Sequence, residues 1–329
     1  MPSAISDQIE VVPLHPTFCA EVRGVDFSKP VPAEVISQVQ DALDTHGVLV
    51  FRSTGIVDDP VQIAFAAQFG PLDDMEPHIK AGRKMRLPDK EMFDVSNLDP
   101  EGNVVTELDP QRLGAMKGNA LWHADLAFNS PRAHVSILRA HQLPPAGLGG
   151  ETLYLDARAA YDDLPAETKK KIENLVGNHS MMHNRKLAAP DIYEAINPRD
   201  FAFSKHKLVV PHRNGRNTLY VTSYIHHIDG WDDEDSPKTD EENEAATAQL
   251  VDELFKHADQ EKYTYLMPWI NDTDLIMWDN TAVLHRATGG AYLTKHVRDM
   301  RRTTSHDVGK HGMGMNKEAF RQGLPIAKS

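Results

Sequence analysis

The sequence is poor in the groups that anchor secreted and membrane proteins. Cys19 is the only cysteine among 329 residues, so an internal disulfide framework and a zinc site of several thiolates are both excluded. No stretch approaches 18 consecutive apolar residues, and the sequence therefore predicts no membrane span. The first residues, MPSAISDQIEVVPLHP, lack the positive flank and apolar run of a signal peptide. We expect a cytoplasmic protein.

Positive charge is also in short supply. The chain has 35 Lys and Arg against 48 Asp and Glu, a net charge of −13. An acidic chain without a basic stripe is poorly suited to phosphate backbones, so we expect no nucleic-acid partner. A small anionic ligand stays compatible, because a local group of arginines or lysines could bind it. We expect the assembled protein to be a homo-oligomer, either a dimer or a tetramer.

Short segments with the composition of β-strands recur, mostly in the second half of the chain. They are rich in Val, Ile, Leu, Tyr and Thr and are bounded by Gly, Pro, Asn or Asp. They do not alternate regularly with helices, which disfavours a doubly wound parallel sheet and favours an antiparallel barrel or jelly roll. The predicted strands are 47–52, 134–140, 151–155, 218–222, 262–266, 274–279 and 300–307.

Helical patterns occur as separate pieces that would flank the sheet. The clearest one places Val35, Val39 and Leu43 on one face and ends at Gly47. Segment 71–118, in contrast, is long, polar and poor in periodicity, as is typical of a lid or a binding loop. The predicted helices are 32–47, 60–70, 165–177 and 240–258.

A possible metal site begins in the stretch WHADLAFN, residues 122–129. If this stretch is a strand, His123 and Asp125 project from the same face, since side chains two apart do so. Two histidines and one carboxylate suit Fe(II) and leave positions open for other ligands. His285, in DLIMWDNTAVLHRATGG, could supply the second imidazole if an early and a late strand are neighbours in a closed sheet. A core histidine satisfied by the backbone is the alternative for His285.

Groups that bind anions follow in the sequence. Arg298 comes after His285 by enough residues for a turn and a return strand, and Arg302 follows at i+4, on the same face of that strand. Guanidinium groups pair well with carboxylates, and inward-facing arginines are costly to bury without anionic partners. Thr152, in GGETLY, could donate a hydrogen bond from its hydroxyl to the carboxylate of a ligand that these arginines bind.

The order His123-x-Asp125, Thr152, His285, Arg298 resembles the signature of Fe(II)/2-oxoglutarate-dependent dioxygenases. More narrowly, the chain resembles the taurine dioxygenase/2,4-dichlorophenoxyacetate dioxygenase (TauD/TfdA) family. The likeness extends over most of the chain and includes GVLVFR, QIAFAAQFGPL, LWHADLAF, PPAGLGGETLYLDARAAYDDLP and DLIMWDNTAVLHRA. The short motifs LHP, FGPL and WDN indicate the branch that acts on aryloxyalkanoates rather than on taurine.

The resemblance implies a mainly β fold with flanking helices around a double-stranded β-helix (jelly-roll) core. It implies one domain over residues 1–308, with lid segments at about 71–118 and 178–217 and a C-terminal tail at 309–329. Both lid segments depart from the aryloxyalkanoate branch. The nature of the anionic group on the substrate, whether carboxylate, sulfonate or sulfate ester, is therefore left open.

The resemblance also implies a role for each site residue. Fe(II) would be bound by His123, Asp125 and His285, and 2-oxoglutarate by Arg298 with Thr152. The substrate positions of the family correspond to Arg302, Asn119, His78 and Lys80. With O2 as the third reagent, the implied function is oxidation, chiefly hydroxylation, of a C–H bond of a small anionic substrate, with release of succinate and CO2.

Two alternatives are compatible with a metal-binding barrel. One is a barrel that is not an oxygenase, and the other is a catalytically silent module that binds a small organic acid. The retained Thr152 and Arg298 argue against the first, since neither isomerase nor hydrolase chemistry needs a 2-oxoglutarate clamp. A silent homologue could dispense with a metal ligand, and here all three are present.

Overall fold

The computed structural model describes residues 8–80, 82, 84–231 and 236–322. The fold is mainly β with helices packed around the sheets, as predicted. The fifteen strands of the described residues are β1 (Glu10–Pro13), β2 (Ala20–Arg23), β3 (Val48–Phe51), β4 (Phe93–Asp94), β5 (Ala133–Gln142), β6 (Thr152–Asp156), β7 (Val176–His179), β8 (Ser204–Lys207), β9 (Val209–Pro211), β10 (Asn217–Leu219), β11 (Ile225–Asp229), β12 (Thr264–Met267), β13 (Leu275–Asp279), β14 (Val283–Ala287) and β15 (Asp299–His306).

The helices connect and flank these strands. None that the structure describes is long and apolar enough to cross a membrane. Short 3-10 turns cover Ala67–Phe69, Pro198–Asp200 and Glu261–Tyr263. The α-helices are α1 (Ala33–His46), α2 (Asp59–Ala66), α3 (Glu76–Lys80), α4 (Pro110–Asn119), α5 (Ala157–Asp162), α6 (Ala166–Ile172), α7 (Met181–Ala188) and α8 (Asp240–Ala258).

A seven-stranded sheet is the largest element, with the strand order β1-β2-β3-β13-β5-β15-β4. Neighbouring strands within this sheet are antiparallel, except β2 and β3, which run parallel to each other. A three-stranded sheet has the order β12-β6-β14, and β14 carries His285. Two smaller sheets, β11-β7-β8 and β10-β9, complete the β-structure of the described residues.

The core forms because the apolar face of α1 meets the apolar face of the large sheet. Val39 and Leu43 of α1 are buried against Leu49 of β3 and Met277 of β13. The helix stops at Gly47, which has a φ of 70° and donates its amide hydrogen to the Leu43 carbonyl at 2.7 Å. A residue with a side chain is strained in this left-handed conformation, so glycine ends the helix.

The sequence predictions for regular structure are largely confirmed. Each predicted strand overlaps a strand of the structure, and predicted helix 240–258 coincides with α8. A capping box explains that boundary, because the Thr239 hydroxyl accepts from the Glu242 amide while the Glu242 carboxylate accepts from the Thr239 amide.

Three of those predictions need correction. Predicted helix 60–70 is helical only to Ala66 and tightens into a 3-10 turn. Predicted helix 165–177 ends at Ile172, because Val176–His179 pairs as β7 with β8 and β11. Segment 71–118 was expected to hold little regular structure, yet it contains α3, β4 and α4. Pro110 opens α4, and the Asp109 carboxylate caps it by accepting from the Arg112 amide.

The described part of the predicted tail, residues 309–322, lies against the rest of the molecule. Phe320 forms a backbone bridge with Ser130. The Gln322 side chain is buried and accepts from the backbone amide of Met181, at the start of α7. Residues 323–329 of the predicted tail are outside the described residues. The domain division at residue 308 stays a prediction.

One fully buried arginine joins the large sheet to α2. The Arg139 guanidinium donates to the Gln62 side chain at 2.9 Å and to the Ile56 carbonyl at 2.7 Å, and it pairs with the Asp59 carboxylate. Arg301 of β15 bonds the same carboxylate at 2.8 Å. A buried charge network of this kind is sensitive to the removal of one member, because the acceptors left behind stay buried.

We expect Arg139→Met to lower the free energy of unfolding by about 3 kcal/mol, since it leaves buried acceptors without a donor. Urea denaturation followed by circular dichroism measures the change. Arg23→Met is the control, because Arg23 is exposed and pairs only with surface carboxylates, and it should leave the unfolding midpoint nearly unchanged. Equal midpoints for both variants would contradict a structural role for the network.

Candidate active site

His123 and His285 face each other directly across two chain segments. The His123 amide donates to the His285 carbonyl at 3.0 Å, and the reverse bond is 2.9 Å long. Their ring centroids are 4.2 Å apart. The sequence hypothesis that an early and a late segment are neighbours is therefore confirmed for these two histidines.

Asp125 joins them by a different route from the one expected. Residues 122–129 do not form a strand: His123 makes an isolated bridge, and a turn follows in which Leu126 has a φ of 50°. The extended conformation that the same-face argument required is therefore not present: the Asn280 side chain accepts from the Asp125 amide at 2.9 Å and occupies that backbone donor. The turn nevertheless brings the Asp125 carboxylate back beside the histidines.

Three groups surround the Asp125 carboxylate. The Ser136 hydroxyl donates to Oδ2 at 2.7 Å, and Nη1 of Arg302 lies 2.8 Å from Oδ1. Nε2 of His285 is 3.8 Å from Oδ2. Asn280 supports the arrangement from behind, because its Nδ2 donates to the Ser136 hydroxyl at 3.0 Å. The carboxylate is thus held by β5, by β15 and by the turn between β13 and β14.

The protonation states of this cluster are those of a metal site. Burial would raise the pKa of Asp125, but opposing effects, led by the charge of Arg302, hold it at about 2. Burial lowers the pKa of His123 and places the pKa of His285 well below its usual value. At neutral pH the cluster therefore presents one ionised carboxylate and two neutral imidazoles. Divalent metals require ligands in these states.

The geometry also fits a metal ion. The potential ligand atoms of His123, Asp125 and His285 all lie within 4.8 Å of one another. Nδ1 of His123 donates to the Leu121 carbonyl at 2.7 Å, which fixes the tautomer and leaves Nε2 free for a metal. Two imidazoles and one carboxylate form the ligand set of non-haem Fe(II) oxygenases. The three side chains could hold Fe(II).

A second group of close His and Asp side chains has a structural explanation. It consists of Asp44, His212 and Asp279. Both oxygens of Asp279 are occupied: Oδ1 accepts from the backbone and hydroxyl of Thr281, and Oδ2 accepts from Nε2 of His212 at 3.0 Å. These bonds fix the turn that follows β13. The cluster around Asp125 is therefore the better candidate for a metal.

Arg298 is buried at the start of β6, the strand that pairs with β14 and its His285, and no carboxylate of the described residues lies within ion-pair distance of its guanidinium. Its Nη2 donates to the Gly150 carbonyl at 2.8 Å, and its guanidinium carbon lies 5.6 Å from the centre of the Tyr292 ring. Nε has no hydrogen-bond partner in the described part of the chain. Burial lowers the pKa of Arg298, which reflects the cost of this unpaired charge. Thr152 is buried two residues beyond Gly150.

Arg298 and Arg302 were expected on the same face of one strand, but they do not share a regular strand. β15 begins at Asp299, and a bulge between Asp299 and Met300 separates the two arginines. The bulge lets each guanidinium take its own direction, Arg298 toward Gly150 and Arg302 toward Asp125.

Arg302 is positioned by a ring and by a clamp. Phe93 of β4 lies directly opposite Arg302, and its ring centre is 5.0 Å from the guanidinium carbon. β4 is fixed in turn by Arg86, which bonds Asp94 and Asp299 through two nitrogens each. Nε of Arg302 has no partner in the described residues, so this guanidinium keeps a free donor while it pairs with Asp125.

The other predicted substrate residues lie at different distances from the cluster. Asn119 ends α4 and accepts from Nη2 of Arg185 at 3.5 Å. The His78 ring is 6.1 Å from the Phe93 ring, one aromatic residue away from Arg302. Lys80 is exposed and pairs with Glu76 at 2.9 Å, so its ammonium group is directed at its own helix. The structure thus connects Asn119 to Arg185 and His78 to Phe93, whereas the Lys80 ammonium group pairs with Glu76.

Sequence reasoning missed three polar residues of the site: Ser136, Asn280 and Arg185. Ser136 is inside a predicted strand, where nothing marks its hydroxyl as the one that contacts Asp125. Asn280 belongs to the motif WDN. This motif indicated the family branch but did not predict that the asparagine would contact Asp125 and Ser136. Arg185 contacts Asn119 from a helix that the periodicity did not predict.

We expect Ser136→Ala to weaken metal binding about tenfold, because groups that hold a ligand in place typically contribute 10- to 100-fold to metal affinity. Titration with Mn(II), followed by the electron paramagnetic resonance of the free ion, measures this without turnover. Ser305→Ala is the matched control, since Ser305 is a buried serine whose hydroxyl bonds backbone groups, the carbonyls of Phe69 and Val135 and the Val135 amide. Wild-type affinity in Ser136→Ala would refute the positioning role.

Comparison with known proteins shows the family of the chain. The family model described as "Taurine catabolism dioxygenase TauD, TfdA family" matches residues 10–304. The chain is 34% identical over 297 residues to the alpha-ketoglutarate-dependent 2,4-dichlorophenoxyacetate dioxygenase of Cupriavidus pinatubonensis, with 90% of this chain and 96% of that protein covered. It is 25% identical over 319 residues to an alkylsulfatase of Acinetobacter baylyi, with 94% and 89% covered.

Solved structures give the same result. The structure of AAD-2 in complex with Mn(II) and N-oxalylglycine superposes with a TM-score of 0.79 at 32% identity, covering 91% of this chain and 97% of that one. The family match spans nearly the whole chain and includes every residue of the cluster around Asp125. The chain belongs to the TauD/TfdA family of Fe(II)/2-oxoglutarate-dependent dioxygenases.

Proposed function

We propose that this enzyme uses Fe(II), 2-oxoglutarate and O2 to oxidise, chiefly to hydroxylate, a C–H bond of a small anionic substrate. His123, Asp125 and His285 hold the metal. Arg298, assisted by Thr152, binds the distal carboxylate of 2-oxoglutarate, and Arg302 binds the anionic group of the substrate. Carboxylates, in particular aryloxyalkanoates, are the first substrates to test, and sulfonates are the second. The family membership and the name of the Cupriavidus relative support this choice.

One observation carries the proposal. Arg298 is a buried guanidinium with no carboxylate of the described residues within ion-pair distance, and it bonds the Gly150 carbonyl just before β6. Strand β6 pairs with β14, which carries His285 of the cluster that holds one ionised carboxylate and two neutral imidazoles. A protein that binds only a metal would not need this unpaired cation, which is costly to bury. A dicarboxylic co-substrate beside the metal satisfies it, because guanidinium and carboxylate form charge-assisted hydrogen bonds.

The chemistry divides between the bound groups and the chain. When bound, Fe(II) and 2-oxoglutarate supply the oxidising power, and the co-substrate leaves as succinate and CO2. The chain keeps Asp125 ionised through Arg302 and Ser136, and it keeps Nε2 of His123 free through the Leu121 carbonyl. It also buries the cluster, which limits the access of water to the reacting groups.

Several finer features belong to the same proposal. The seven-stranded sheet and the sheet β12-β6-β14 are proposed as the two walls of a double-stranded β-helix, since the site residues come from both. Segments 71–118 and 178–217 are proposed as lids, which the position of Phe93 against Arg302 supports for the first of them. The single domain over 1–308, the cytoplasmic location and the dimer or tetramer stay predictions.

Release of succinate tests the reaction class. We expect the purified protein to form succinate from 2-oxoglutarate only when Fe(II) is present, and faster when the right acid is supplied from a panel of aryloxyalkanoates, other carboxylates and sulfonates. Chromatography of the products quantifies succinate. No succinate above the iron-free blank with any acid would contradict the proposed function.

We expect Arg298→Ala to raise the KM for 2-oxoglutarate roughly 10- to 100-fold, because each hydrogen bond from a charged group contributes about 1.5–3 kcal/mol. Steady-state kinetics of succinate release, with the 2-oxoglutarate concentration varied, measures this. Arg286→Ala is the control: Arg286 is on β14 beside His285, but it is over a third exposed and stacks on Trp122. An unchanged KM in Arg298→Ala would remove Arg298 from the co-substrate site.

A further inference from the structure

Arg185 lies close to the candidate active site, and it is a cation that has no counter-ion among the described residues. It lies on α7, partly buried, and its guanidinium donates to the Asn184 side chain at 2.6 Å and to Asn119 at 3.5 Å. Both acceptors are neutral amides. No carboxylate of the described residues is within ion-pair distance, whereas Arg302 is 2.8 Å from Asp125. The full positive charge of Arg185 therefore stays available to a ligand.

The residues around Arg185 leave space for its guanidinium and hold it in one position. A Cβ atom on Gly118, in the last turn of α4, would collide with Nη1 of Arg185 and with the Asn184 side chain, so the glycine provides the space that the guanidinium occupies. Asn184 is fully buried and is itself fixed, because its Nδ2 donates to the Ser223 hydroxyl at 2.8 Å. A cation held by a rigid neutral frame is preorganised for an anion.

Hydrogen bonds connect Arg185 to the chain segment that carries His123. The Asn184 side chain that accepts from Arg185 also donates to the Ser223 hydroxyl, and the Ser223 amide donates to the carbonyl of Trp122, the residue before His123, at 2.9 Å. The ring of Tyr224, the residue after Ser223, packs edge-on against the His123 ring at 6.0 Å. Arg185 therefore lies on the His123 side of the cluster, whereas Arg302 contacts it through Asp125.

We propose that Arg185 is a second anion-binding residue of the substrate site, so that the preferred substrates are organic dianions with two separated acidic groups. This inference rests on the proposed function, in which Arg302 binds the first anionic group. A monoanion would satisfy Arg302 and leave Arg185 without a partner. The neighbouring Asn119, a family substrate position, adds an amide beside the second group.

The test compares three probes on the protein loaded with Mn(II) and 2-oxoglutarate, with affinities measured by isothermal titration calorimetry. Phenoxyacetate is the monoanion, the three ring-carboxylated phenoxyacetates are dianions, and the matching ring carboxamides are neutral controls of equal size. We expect one dianion isomer to bind at least tenfold more tightly than phenoxyacetate and than its own carboxamide. A wild-type protein that binds phenoxyacetate but prefers no dianion would overturn the inference.

Variants separate binding from support of the fold. Arg185→Met should abolish the preference for the dianion, and Arg185→Lys should retain part of it, because the charge remains. Lys186→Met is the control, since the Lys186 ammonium group donates to the Ile196 carbonyl, and it should keep the full preference. If Arg185 only held α7 against α4, Arg185→Met would weaken all three probes equally and lower the melting temperature, which would overturn the inference.

The two proposals fail in different ways. Absence of succinate with every acid would overturn the proposed function. Succinate release together with equal affinities for dianion and carboxamide would overturn only the role of Arg185. Failure of all probes to bind the loaded protein would overturn the role of Arg185, while the succinate assay with the full panel of acids decides the proposed function.

Discussion

The ionised carboxylate of Asp125 sets the main constraint on this structure, because a buried charge is stable only with partners on every side. Arg302 neutralises one oxygen, and the Ser136 hydroxyl donates to the other. Asn280 occupies the backbone amide of Asp125 and supports Ser136. These residues come from β15, from β5 and from the turn after β13. The strand order β13-β5-β15 places the three elements side by side, so the site depends on the sheet being assembled correctly.

The distribution of positive charge follows from the same constraint. The chain as a whole is strongly acidic, yet Arg302 contacts the cluster directly, while Arg185 and Arg298 bond chain segments that lead to its two histidines. Arg302 forms an ion pair with Asp125, while Arg298 and Arg185 have no counter-ion among the described residues. Unpaired buried cations destabilise a fold unless a ligand uses them. The unpaired, buried charge of Arg298 therefore favours a site for an organic anion over a site for a metal alone.

Sequence reasoning could predict the elements whose formation depends on local pattern. The boundaries of α8 follow from its capping box, and the buried strands follow from runs such as 274–279. It failed where a distant side chain decides the local backbone. The stretch 122–129, which would place His123 and Asp125 on one face only if extended, contains a turn because the Asn280 side chain accepts from the Asp125 amide. Predicted helix 165–177 ends at Ile172 because the residues of β7 pair with β8 and β11. The surroundings of Arg185 could not be predicted from the sequence, since they depend on its contacts with Gly118 and Asn119 of another helix, α4.

The central claim is that His123, Asp125 and His285, and not the cluster of Asp44, His212 and Asp279, hold the metal next to the co-substrate. Anaerobic addition of Fe(II) to the protein with 2-oxoglutarate tests it most directly through the visible charge-transfer absorption of the two bound together. The account predicts a weak band in the wild type that is lost in His285→Ala and kept in His212→Ala. No band in the wild type, or a band that survives in His285→Ala and is lost in His212→Ala, would contradict it.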